Sequence, residues 1–294
     1  MGPTACGKSA LALALAAQLG GEVVNADSMQ VYRDLRVLTA RPSVEEEARA
    51  PHHLYGHVDA NERYSVGRWL KDASAAIGAI RSRGLTPIVV GGTGLYFKAL
   101  TDGLSETPSF DPYVRARLAV ELKAEGPEAL HAKLAARDPG IAAQIYPQDH
   151  VRIVRALEVA EAGVLMSEAR REKQGALADW VGVALTPERA PLYEAIDARF
   201  AAMLAAGALD EARALAARGL DSLMPAMKAH GMPWLAAHFR GEMSLDAAAD
   251  LAKRDTRRYA KRQFTWIANQ MRGWARIEAA DLNTRSAAAL ALLR

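Results

Sequence analysis

The apolar positions of the chain fall into two alternating textures. Ser9 to Leu19 (SALALALAAQL) is built almost entirely from strong helix formers, and Gly20-Gly21 supplies the residues that end a helix. Glu22-Val23-Val24-Asn25-Ala26 follows as a short predicted strand, with Asp27-Ser28 at its C-terminal end. Ser65 to Ser82 is predicted helical. Thr86-Pro87-Ile88-Val89-Val90 is a continuous apolar run, the pattern of a strand buried on both faces, and it ends in Gly91-Gly92-Thr93-Gly94. Strands alternating with helices predict an α/β fold around a parallel sheet. Ligands in such sheets bind at the C-terminal ends of the strands, where Asp27 and Thr93 would meet.

From Asp111 to about Arg171 the pattern becomes helical and charged, with breaks at Gly126-Pro127, Asp138-Pro139 and Tyr146-Pro147. Trp180 to Leu185 (WVGVAL) resembles a return strand, and from Leu192 onward the chain is predicted helical, ending in a long helix over 245–271. The predicted organisation is therefore a core over 1–107 and 180–294 with a helical insertion over 108–179. No apolar run reaches the roughly 18–20 residues of a membrane span, and no signal peptide is visible. Cys6 is the single cysteine, which excludes an internal disulfide and suits a reducing cytoplasm. It reads either as a small residue inside a loop or as a reactive thiol. A monomer is expected.

Net charge is only +3, but it is uneven. Between Leu251 and Arg276 lie Lys253, Arg254, Arg257, Arg258, Lys261, Arg262, Arg272 and Arg276 against one acid, Asp255. That segment carries +7 and leaves −4 on the rest, which suggests a polyanionic partner or a solvated helix face. Tyr259, Phe264 and Trp266 lie within it and could stack bases or pack in a core.

The chemistry concentrates at the start. Gly2-Pro3-Thr4-Ala5-Cys6-Gly7-Lys8-Ser9 is the complete G-x-x-x-x-G-K-[ST] phosphate loop. Its glycines permit a tight turn of inward N–H groups, Lys8 can reach a terminal phosphate, and the Ser9 hydroxyl can bind Mg²⁺. Such a loop normally follows a buried strand, and here only Met1 precedes it. The expectation is that Met1 is an internal methionine, with roughly 5–15 more residues upstream, enough for a typical strand. The loop alone says phosphate, and its default reading is ATP or GTP chemistry. That reading expects a second acidic residue on a strand, yet 86–90 ends in Gly-Gly-Thr-Gly and the early strand-end carboxylate is Asp27.

Together with NADSMQVY at 25–32, TARP at 39–42, PHHL at 51–54, VGGTGLYFKAL at 90–100, DP at 138–139, RIVRALEV at 152–159 and YAKRQFTW at 259–266, the loop closely resembles the tRNA dimethylallyltransferase (IPP transferase) family. The resemblance covers nearly the whole chain. It implies a P-loop, nucleoside-triphosphate-hydrolase-like parallel-sheet core whose first strand is missing here. It also implies transfer of a dimethylallyl group from dimethylallyl diphosphate to N6 of adenosine 37, beside the anticodon of tRNAs reading codons that start with U. Diphosphate is released and Mg²⁺ is the expected cofactor. By match to the family, Asp27 is the base, and Thr4, Lys8 and Arg199 serve the diphosphate held by residues 2–9. Asp27, Ser28, Met29, Gln30, Thr93, Arg115, Arg257 and Arg258 would contact tRNA. Three of these have an alternative: a strand-end Mg²⁺ ligand or helix cap for Asp27, a turn-satisfying hydroxyl for Thr93, a surface arginine for Arg199.

The chain departs from the family pattern. The glycine-containing IGTAKP is here Val37-Leu38-Thr39-Ala40-Arg41-Pro42, the usual Gly-Tyr is Gly231-Met232, and Ala195 replaces an arginine. The rival readings are a small-molecule P-loop kinase, an adenylate isopentenyltransferase acting on free AMP or ATP, and a non-catalytic nucleic-acid-binding module.

Overall fold

Two glycines in the left-handed region, Gly7 (φ 82°) and Gly20 (φ 59°), bracket the first helix, α1 (Lys8–Leu19). The computed structural model describes residues 1–105, 108, 111–169 and 173–293. The predicted boundary at Thr107 and the helical end at Arg171 lie outside these residues. The chain divides into two compact units, Met1–Thr101 with Leu177–Arg294, and Asp102–Ala176.

In the larger unit, β1 (Gly21–Asn25) is the middle of a parallel sheet between β2 (His52–His53) and β3 (Thr86–Val90). Val23 stands opposite His52 on one side and Ile88 on the other. The next helix, α2 (Val66–Ser82), starts at Ser65, whose hydroxyl accepts the Arg68 N–H, and it buries Trp69, Leu70, Ala73, Ile77 and Ile80 at helical spacing. Helix α3 (Gly94–Asp102) follows β3. After the smaller unit come β4 (Val183–Leu185), α4 (Arg189–Met203), α5 (Leu209–Ala217), α6 (Met232–Phe239), α7 (Leu245–Gln270), β5 (Ala275–Ile277) and α8 (Leu282–Ala291). β4 and β5 pair in parallel.

Strand β3 departs from the doubly buried pattern expected of it. Only Val90 is buried, and Thr86 to Val89 are half-buried. Among the described residues no strand pairs with the outer edge of β3. The backbone of Met1–Gly2 lies between this region and β4. Leu185 N–H donates to the Met1 carbonyl at 2.9 Å, the Met1 amino group to Val183 O at 2.7 Å, and Gly2 N–H to Gly91 O at 3.4 Å. Beside it runs an apolar cavity of about 430 Å³, lined by Leu11, Leu15, Ile88, Val89, Val183 and Trp274 among others.

In the smaller unit the helices Pro112–Arg137 and His150–Glu161 share a core of Leu118, Leu130, Leu134, Ile153 and Leu157. The first is broken at Gly126 (φ 84°), immediately before Pro127. The buried Asp138 caps the short helix Pro139–Ala142 through the Ile141 N–H at 3.1 Å and also accepts the Ser167 N–H at 3.0 Å.

Candidate active site

Asp27 is fixed from below by its own strand. The Asn25 amide, fully buried, accepts the Asp27 N–H at 2.8 Å and donates to the Asp27 and Leu54 carbonyls, both at 3.0 Å. The Asn25 carbonyl accepts the indole N–H of Trp69 at 2.8 Å, and Trp69 stacks on Tyr96 with ring centroids 4.3 Å apart. The Asp27 carboxylate then accepts the Met29 N–H at 2.9 Å through one oxygen, a local turn that aims the group away from the strand.

The loop after β3 is locked to the same place. A Cβ on Gly91 would sit 2.1 Å from the Ala26 carbonyl carbon, so only glycine allows this approach. Thr93 N–H donates to Ala26 O at 3.1 Å, and its hydroxyl accepts the Ser28 N–H at 2.9 Å and donates to the Ser28 hydroxyl at 3.2 Å. Thr93 thus ties the Asp27–Ser28 turn to the glycine-rich loop.

The phosphate loop faces these two. Thr4 N–H donates to the side chain of Gln263 at 2.8 Å, and the Thr4 hydroxyl accepts from Arg199 on α4. Burial pushes the Arg199 pKa down, and the nearby Asp27 charge opposes that shift. Cys6 is buried among Leu11, Leu185 and Ile196, the surroundings of a packing residue rather than an accessible thiol. Arg285 from α8 holds the back of the loop, donating to the Cys6 carbonyl at 2.7 Å. Ser9 lies in the first turn of α1, next to Lys8.

Thr4, Asp27, Ser28, Met29 and Arg199 line one cavity of about 220 Å³. Leu38, Ile196, Phe200 and Met203 supply apolar wall, and Lys228, His230, Tyr259 and Arg262 add charge and rings. The His230 and Tyr259 rings are 4.5 Å apart. Burial lowers the His230 pKa and raises that of Tyr259, so both stay neutral near pH 7. The cavity thus brings together one carboxylate, several cationic side chains and an apolar wall. That suits an anionic leaving group on one side and a proton acceptor on the other.

Other expected site residues are engaged elsewhere. Lys8 rests its ammonium on the Pro3 carbonyl of its own loop, at 3.3 Å. Gln30 spends its amide on Thr39 O and Ala40 O, at 2.9 and 2.8 Å, holding the 37–42 turn. Arg257 binds both oxygens of Asp197, at 2.5 and 2.6 Å, and Arg258 pairs with Asp255 at 3.4 Å. In the smaller unit Arg115 makes a two-pronged pair with the buried Glu158. Phe264 joins the core around Leu185, and Trp266 packs on Gly94, leaving Tyr259 as the ring of its segment that lines the cavity.

Lys228 and His230, which line the cavity, and Gln263, which holds Thr4, were not singled out by the sequence, and Arg262 stood out there only as part of the basic run. A signal existed for Gln263. The buried stripe of α7 runs Ala249, Ala252, Thr256, Ala260, Gln263, Ile267, and a glutamine in an apolar stripe calls for buried partners.

Residues 30–270 match the family model for IPP transferase, and residues 1–55 that for isopentenyl transferase. A tRNA dimethylallyltransferase of Phenylobacterium zucineum is 56% identical over 95% of this chain and 92% of its own length. That of Hyphomonas neptunium is 50% identical over 100% and 94%. A crystal structure of the tRNA isopentenylpyrophosphate transferase of Bacillus halodurans superposes with a TM-score of 0.72 at 35% identity, covering 99% of this chain and 93% of that one. A eukaryotic dimethylallyltransferase acting on tRNA gives 0.81 at 31% identity, covering 96% and 73%. The chain belongs to the IPP transferase family.

The departures from the family pattern take on physical meaning here. Where IPP transferases commonly carry glycine in the 37–42 turn, Leu38 is buried against the cavity, and the left-handed residue of the turn is Ala40 (φ 52°). Glu211 on α5 holds that turn by accepting the N–H groups of Arg36, Val37 and Leu38 at 2.6, 2.8 and 2.8 Å. Met232 is fully buried, and His230, two positions earlier, brings a ring to the cavity. Ala195 is an exposed position on α4.

Proposed function

We propose that this enzyme transfers a dimethylallyl group from dimethylallyl diphosphate to N6 of adenosine 37 in tRNAs reading codons that start with U. The observation that carries this reading is the convergence of Thr4, Arg199 and Asp27 on one cavity. The bond between the allylic carbon and the diphosphate oxygen breaks, and a carbon–nitrogen bond forms at N6. The exocyclic amine is a weak nucleophile because its lone pair is delocalised into the ring. Asp27 accepts its N–H hydrogen bond, orients it and takes the proton. The loop amides, Lys8, Thr4 and Arg199 stabilise the charge that grows on the departing diphosphate.

Ser9, in the first turn of α1 beside Lys8, would hold Mg²⁺ together with substrate phosphates. When bound, the ion neutralises diphosphate charge. The adenosine leaves its stack to reach Asp27. His230 and Tyr259 offer it a neutral aromatic surface. The enzyme acts as a cytoplasmic monomer.

The backbone contacts of tRNA fall to two residues of α7, Lys261 and Arg262, the second of which also lines the cavity. Lys261 and Arg262 are exposed, and among the described residues neither has a carboxylate partner, unlike Arg257 and Arg258. Changing Lys261 and Arg262 together to glutamine weakens tRNA binding and flattens its logarithmic salt dependence by about 1.5–2 units. An unchanged slope returns these two residues to ordinary solvated surface.

The reading as a whole is tested by incubating the enzyme with tRNA, Mg²⁺ and labelled dimethylallyl diphosphate, with ATP and AMP as controls. Label enters tRNA without ATP. Label in AMP alone, or a requirement for ATP as donor, overturns it.

A further inference from the structure

Gln263 is 3% exposed and lies on the inner face of α7. Its carbonyl oxygen accepts the Thr4 N–H at 2.8 Å, and its amide nitrogen donates to the Gly92 carbonyl at 2.9 Å. One partner is an N–H and the other a carbonyl, so a primary amide satisfies both in a single orientation. Tyr259, one helical turn earlier, places its hydroxyl 3.4 Å from the same Gly92 carbonyl.

The two partners belong to different halves of the site. Thr4 is part of the phosphate loop and touches Arg199. Gly92 precedes Thr93, whose backbone and hydroxyl fix Ala26 and Ser28 on either side of Asp27. The Gln263 amide is therefore a direct bridge between the donor side and the acceptor side. We infer that Gln263 is a positioning residue that sets the separation of the phosphate loop from Asp27, and so the approach of the acceptor nitrogen to the allylic carbon.

This rests on the proposed function, because it takes the loop as the donor site and Asp27 as the acceptor site. Transfer needs the reacting atoms about 3–3.5 Å apart and aligned, and a misplacement of about 1 Å can cost about 100-fold. Each half of the site also has supports of its own: Arg285 behind the phosphate loop, Asn25 and Trp69 beneath Asp27. Loss of the bridge should therefore slow transfer without abolishing the binding of either substrate.

The test uses Gln263→Met, which keeps the length and removes both polar atoms, and Gln263→Glu, which keeps an acceptor for Thr4 N–H but loses the donor to Gly92. Three quantities are measured on the full chain: the single-turnover rate at saturating tRNA and donor, the affinity for inorganic diphosphate with Mg²⁺, and the affinity for tRNA. Both variants are expected to lose about 10- to 100-fold in rate, with each affinity within about threefold of wild type. A wild-type rate in Gln263→Met overturns the inference. So does a loss of rate matched by equal losses of both affinities in both variants, the signature of general disruption. The proposed function fails on a different result, the absence of label transfer by the wild-type enzyme.

Discussion

Asp27→Ala lowers the single-turnover transfer rate by roughly 10²–10⁴-fold, the range for a positioned acid–base group, while affinity for diphosphate stays within about threefold. The asymmetry follows from geometry. One Asp27 oxygen is taken by the Met29 N–H, and the other lies on the Gly92 side of the turn. The phosphate loop keeps its own contacts through Arg285 and Gln263, so the donor side survives the change. Arg199 is half-buried and feels the Asp27 charge; without it, the guanidinium remains available to the diphosphate, and donor affinity does not fall. Asp27→Asn separates structure from chemistry. The amide oxygen can still accept the Met29 N–H and preserve the turn, but it cannot take a proton. It should lose as much rate as alanine. Wild-type rates in either variant, measured with tRNA and labelled donor, would remove Asp27 from the role of base.

The opposite pattern is expected at the phosphate loop. Lys8→Ala lowers both the rate, by roughly 10²–10³-fold, and the affinity for inorganic diphosphate, because the ammonium meets charge that exists in the product and grows during bond cleavage. In the structure Lys8 waits on the Pro3 carbonyl, a contact that a phosphate oxygen can replace at little cost. Calorimetric titration with diphosphate and single-turnover kinetics read the two losses separately. Unaltered diphosphate affinity in Lys8→Ala would show that the loop grips something else. Tested together, the two substitutions divide the site: Asp27 acts on the chemical step alone, Lys8 on the step and the leaving group.

Much of the framework was legible because it is encoded locally. Ser65 followed by apolar positions at helical spacing marks α2, and the structure finds its hydroxyl on the Arg68 N–H. Gly20 ends α1 as its sequence position implies. The break at Gly126-Pro127 is set by two residues that resist helix continuation. The apolar run 86–90 gave the strand but not its burial, since burial depends on what pairs with its outer edge. The basic run around 253–262 was visible as charge. Which cations face solvent was not: Arg257 meets Asp197, 60 positions earlier, on another helix.

The sequence by itself determined the phosphate loop, the carboxylate at the end of the second apolar run, and the family. Each of these is written in short stretches whose physics is local: the sign of φ at a glycine, helical spacing, a hydroxyl one turn from an N–H. Only the tertiary structure decided that Thr4 meets Gln263 across 259 positions, that Arg199 reaches the Thr4 hydroxyl across 195, and that Gln30 turns away to hold a neighbouring loop. Periodicity says that a side chain points inward. Which partner it finds there is set by how helices and sheet pack together, and by the requirement that every buried polar group be paired.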